Sequence, residues 1–155
     1  MIFWNRSQFG LSNVFVTINT LAQLAYVLAR LPTMNVDSAN SVLTHLVAKT
    51  FAGIGILDLL HNSSVAYFNH VEAPGAAVRA LTGLGFAALA LSSDYILGGS
   101  FVYDLIALAV GQRQYGNAAW GNLLALYAAG TAGLVGLRNW YAKPYLRDAG
   151  YEPLT

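Results

Sequence analysis

Two aspartates and a histidine stand inside apolar runs of this chain. Asp58 lies in Ile54-Gly55-Ile56-Leu57-Asp58-Leu59-Leu60-His61-Asn62, and Asp104 in Val102-Tyr103-Asp104-Leu105-Ile106. A charge at the middle of a bilayer costs about 2.5–3.5 kcal/mol on insertion scales, so each carboxyl must be paired, protonated or beside water. A carboxyl surrounded by hydrocarbon holds its proton more firmly than one in water, which suits a general acid. Two such groups on different helices suit acid–base chemistry. One activates water or deprotonates carbon while the other protonates a leaving oxygen. Their order is open from sequence. His61, three residues after Asp58, shares its helical side and would tune or relay protons. Gln23, Tyr26, Asn62 and Tyr103 would position a substrate or a water. The bland alternative is a carboxylate–imidazole contact that locks one helix to its neighbours, since structural networks perturb titration just as active sites do.

Other chemistries find less support. The chain has no cysteine, which excludes disulfides, thiolate catalysis, cysteine zinc sites and iron–sulfur clusters. His45 and His70 lie near opposite ends of one span, and no His-x-x-x-His or Glu-x-x-His spacing occurs, so no metal is expected. Ser63-Ser64 follow His61 too closely for a triad, and there is no Gly-x-Ser-x-Gly elbow. The glycines at 83, 85, 98 and 99 form no phosphate-binding pattern and suit packing or turns. Eight basic residues face seven acidic ones, a net charge of +1. No basic stripe exists for nucleic acid. Lys49 is on the opposite helical face from Asp58 and cannot easily pair with it. Arg79 and Arg138 sit near span ends, where snorkelling to the interface is the simple reading.

The elements that carry these residues follow from composition. Of 155 residues 56% are hydrophobic and 10% charged, against about 25% charged in soluble domains. Mean hydropathy is +0.50. The reading is an all-α integral membrane bundle of four to five transmembrane helices, forming a single domain over 1–155. The spans run over about 11–31, 42–68, 76–92, 95–111 and 119–138. The run 95–111 reads as short or re-entrant. Asn19, Gln23, Tyr26 and Arg30 fall on one face of the first span, which should look onto protein or a wet cavity. Phe3, Trp4 and Phe9 suit an interfacial anchor. Arg138, Trp140, Tyr141 and Lys143 form a second belt, and with Arg147 weakly favour a cytoplasmic C-terminus. The tail 144–155 reads as loose or exposed. Ala129/Gly133 and Ala132/Gly136 are small-xxx-small pairs, which would give the last helix tight packing or a homodimer face. No coiled-coil heptad is evident. The organelle is open, the endoplasmic reticulum being the natural one in a eukaryote.

In size, and in carrying acidic and histidine residues at membrane depth, the chain resembles small multi-pass membrane enzymes that isomerise, hydrate or cyclise lipophilic molecules. Sterol isomerases and the epoxide-opening proteins of natural-product pathways are examples. The resemblance rests on no alignable motif and assigns no residue. The expectation is a membrane-embedded, cofactor-free acid–base enzyme for a hydrophobic small molecule. Epoxide opening by hydrolysis or cyclisation comes first, and double-bond isomerisation next. Its polar cavity would lie between the first, second and fourth helices. A non-catalytic subunit or chaperone of a larger membrane complex is the alternative, followed by a small proton-coupled transporter subunit.

Overall fold

The computed structural model describes residues 7–67 and 74–148, with the backbone alone for 142–148. Phe3, Trp4 and His70 lie outside the described residues. Five helices follow one another: α1 Phe9–Ala29, α2 Ala39–Tyr67, α3 Ala76–Ser92, α4 Tyr95–Tyr115 and α5 Ala118–Asp148. Four of them, α1, α2, α4 and α5 as far as Tyr141, are long and apolar enough to cross a membrane. At 17 residues, α3 is shorter. The architecture is an all-α, multi-pass membrane bundle.

Two elements differ from their sequence reading. The run that looked short or re-entrant is an unbroken helix of 21 residues, about 32 Å long and enough to cross the hydrocarbon. Gln112, Arg113 and Gln114 are good helix formers and carry it past Gly111. Its start is fixed by Asp94, whose carboxylate accepts from the N–H groups of Ile96 and Leu97, an N-cap that satisfies two otherwise orphaned donors. The segment read as a loose tail is helical as far as Asp148. Pro144 removes one backbone donor there without ending the helix.

Side-chain contacts fix the helix directions. Ser63 donates to Asn13, and the Thr20 hydroxyl donates to the Gly55 carbonyl at 2.8 Å, so α1 and α2 are antiparallel. Lys49 meets Asp94 and Gly53 meets Ser100, so α2 and α4 are parallel. Gly98 faces Val135 and Gly121 faces Ala109, so α4 and α5 are antiparallel. Tyr127 reaches Arg79 and Arg138 reaches Leu91, so α3 and α5 are parallel. The helices lie in the order α1, α2, α4, α5, with α3 against α5 and the edge of α4. Phe9 and Asp148 are therefore at opposite ends of the bundle.

The core centres on α4, where Leu97, Phe101, Leu105 and Ala109 are buried at four-residue spacing. Phe86 meets Phe101 edge-on, with ring centroids 6.2 Å apart. Lipid offers no hydrophobic incentive for helix pairing, so close approach and packing must hold the bundle. Gly53 supplies that approach between α2 and α4, since any Cβ there would overlap the Ser100 side chain. The small-xxx-small pairs of α5 do not. Ala129 and Ala132 are exposed, and Gly133 and Gly136 have open space where a Cβ would stand. The α5 seam instead uses Gly121, Leu124, Ala128 and Val135.

Candidate functional site

Asp104 lies one turn beyond Ser100 on α4. It is nine residues, about 14 Å, into a helix about 32 Å long, hence near mid-depth. Its side chain is fully buried at 0% exposure, and neither carboxyl oxygen has a hydrogen-bond partner among the described residues. Polar groups in protein interiors are nearly always satisfied, and an exception calls for an explanation. Asp58 is within electrostatic reach, the two carboxyl charges opposing each other. The parallel pairing of α2 with α4 through Gly53 and Ser100 sets the two at one depth. They differ in surroundings, because Asp58 is exposed on the surface of α2 and Asp104 is enclosed.

The remaining candidates are dispersed. His61 is exposed, one turn beyond Asp58. The Asn62 amide donates to the Asp58 backbone carbonyl at 2.8 Å. Gln23 lies at the α1–α2 contact beside Gly55, with its carbonyl oxygen buried and unpartnered. Tyr26 and Tyr103 are 46% and 62% exposed on the outer surface, so neither is drawn inward around Asp104. Between the first, second and fourth helices, α2 lies in the middle, with α1 and α4 both packed on it. Of the two best-formed grooves, one of about 370 Å³ opens between α4 and α5 along Ile106, Arg113, Ala128 and Ala132. The other runs along Leu43, Thr44, Val47 and Ala48 of α2. Neither is lined by Asp58 or Asp104. Among the described residues no three metal-binding side chains gather.

A second polar cluster sits at the α3–α4 turn. Lys49, 7% exposed, forms an ion pair with Asp94. Burial pushes the Asp94 carboxyl up, but the Lys49 hydrogen bond, the N–H groups of Leu97 and Ile96 and the Lys49 charge outweigh it. The carboxyl is held below its ordinary value of 3.8. Arg138 of α5 donates to the carbonyls of Leu91 and Ser93 at 3.0 and 2.8 Å, and the Asn139 amide also reaches Ser93. A cation thus closes the C-terminus of α3 while an anion opens the N-terminus of α4, both favourable to the helix dipoles. His45, one turn before Lys49, is buried with Nδ1 unpartnered. Arg79 turns back to the Pro74 carbonyl at 2.8 Å. The Asp94 cap was legible as an acid directly before an apolar helix. Its pairing with Lys49, 45 residues away, had no local signal.

The fold and its contents define a multi-pass helical membrane protein. The chain matches no protein-family model, no curated protein and no solved structure.

Proposed function

We propose that this chain is a membrane-embedded, cofactor-free acid–base enzyme acting on a lipophilic small molecule. The observation that carries the reading is Asp104, a carboxyl at mid-depth whose two oxygens have no partner among the described residues. An intramembrane ionisable group is by default a functional one. No donor is placed to stabilise a carboxylate at Asp104, so it takes the part of the acid. Exposed Asp58 takes the part of the base. In epoxide opening Asp104 would give its proton to the ring oxygen as the carbon–oxygen bond breaks and its electron pair moves to that oxygen. Water attacks the carbon and loses a proton to Asp58, giving a diol. Proton return from Asp58 to Asp104 restores the pair. Cyclisation replaces the water with a nucleophile of the same molecule. Double-bond isomerisation uses the same two groups to add a proton at one carbon and remove one at another.

The test incubates the protein in lipid nanodiscs with alkyl epoxides in ¹⁸O-labelled water. Diol carrying one label should form, and Asp104→Asn should slow it about 100-fold or more, the lower range for losing an acid–base group. Absence of turnover across epoxides and olefins would refute the reading, as would full activity in both Asp104→Asn and Asp58→Asn. A second reading, a non-catalytic subunit of a larger complex, draws on the exposure of Asp58 at mid-depth, and predicts a stoichiometric foreign partner on purification.

A further inference from the structure

The groove between α4 and α5 is apolar along its length and ends on a cation. Val102, Ile106 and Val110 form its α4 wall, Ala129 and Ala132 stand on the α5 side, and Arg113 closes one end. The stretch of α4 from Val102 to Arg113 rises about 16 Å, which matches the hydrocarbon depth of a single leaflet, about 15 Å. Arg113 lies in the last turn of α4, so its head stands where lipid headgroups begin. It also differs from the other cations of the bundle. Lys49 is paired with Asp94, and Arg79 and Arg138 donate to backbone carbonyls. Among the described residues no carboxylate or carbonyl takes up the Arg113 guanidinium. Its stem is nonetheless seated, against Gly121 in the first turn of α5, where a Cβ would stand 2.8 Å from the Arg113 Cγ.

We propose that this groove holds one acyl chain of an anionic phospholipid, whose phosphate rests on Arg113. A guanidinium meets phosphate oxygens through two parallel N–H bonds, a geometry that selects such groups. The small side chains of α5 leave room for a chain, and the branched side chains of α4 give it dispersion contact. A zwitterionic lipid carries the same phosphate but brings its own cation, which offsets the attraction. A second copy of this chain is the poorer occupant. A two-fold axis along the membrane normal would set Arg113 at the same depth as its counterpart, and two concave faces do not fill each other. The groove along Leu43, Thr44, Val47 and Ala48 of α2 has a similar volume and no charged lining, so it should accept lipid tails without choosing among headgroups. Neither Asp58 nor Asp104 lines the α4–α5 groove, so the lipid site stands or falls apart from the chemistry.

The test releases the full chain from nanodiscs made of equal parts phosphatidylglycerol and phosphatidylcholine and weighs the retained lipid by native mass spectrometry. A single phosphatidylglycerol should be kept over phosphatidylcholine by about fivefold or more, the scale that one basic residue sets against anionic lipid. Arg113→Gln should bring that ratio close to unity. Ala129→Leu fills the groove from its exposed wall and should lose the retained lipid itself, while Thr44→Leu in the α2 groove should change neither. Circular dichroism should show the same helix content in all three variants, which separates loss of the site from loss of the fold. Equal retention of the two lipids by the parent would overturn the proposal, as would a preference that survives Arg113→Gln or Ala129→Leu, or a dimer that keeps no lipid.

Discussion

The α3–α4 turn and the mid-depth aspartates both place charge inside a membrane bundle, and they treat it oppositely. At the turn every charge has a use. Asp94 caps α4 and accepts from Lys49, while Arg138 and Asn139 take up the carbonyls that end α3. At mid-depth Asp104 is enclosed with neither oxygen partnered among the described residues, and the like charge of the Asp58 carboxyl acts on it. The first arrangement stabilises the fold. The second costs stability, and a costly group in a packed interior points to function. The comparison makes a signed forecast: removing charge at the turn should weaken the protein, and removing it at mid-depth should not.

The largest effect should come from Lys49→Met. It leaves Asp94 without its cation, and breaking a buried pair one-sidedly costs about 3–5 kcal/mol. The Asp94 side chain is 35% exposed, so the loss should fall at the lower end, about 3 kcal/mol. Thermal unfolding in detergent should show a clear drop in midpoint. An unchanged midpoint would mean that the pair adds nothing, and the contrast with Asp104 would collapse.

Asp104→Leu should act in the other direction. Relieving a buried, unsatisfied polar group recovers about 1–3 kcal/mol, less any strain from the longer side chain. Asp104→Asn tests the same point with nearly the same shape. The midpoint should rise or hold in at least one variant while acid–base turnover is lost. A fall in both variants as large as that of Lys49→Met would show that Asp104 has a partner in the folded membrane state and serves as structure.

How far the sequence spoke depended on the range of the interaction. Helix positions were legible because apolar runs and punctuation such as Pro74-Gly75 and Ser93-Asp94 are local. The length of α4 was underestimated because its apolar run ends at Gly111, whereas the polar Gln112, Arg113 and Gln114 continue the helix to Tyr115. Asp104 was legible as a charge out of place. Its lack of a partner was not, since that depends on what α2 presents opposite it. The Lys49–Asp94 pair joins residues on helices that are not consecutive, and no spacing rule reaches it. The glycines misled for the same reason. A small-xxx-small pattern marks where a helix can approach, as Gly53 does, but not whether one arrives, as Gly133 and Gly136 show.

The smallest and most specific effect is an acid transition at the turn. The Asp94 carboxyl is depressed below 3.8 in the folded protein. A depressed acid contributes stability that is fully present above its unfolded value and is lost as pH falls through the folded one. The turn should therefore hold from neutrality down to about pH 4 and loosen below it. The change should be modest, because water reaches a third of the side chain and screens the pair. Asp94→Asn keeps a good capping side chain but carries no titrating charge, so its unfolding midpoint should be flatter below pH 4 than that of the parent. The decisive comparison uses Lys49→Met beside it. Without the ammonium the main cause of the depression is gone, and the acid transition should move upward toward the ordinary carboxyl range. If it stays where it is in the parent, the backbone N–H groups of Ile96 and Leu97 alone hold the carboxylate, and Lys49 is a passenger at the turn.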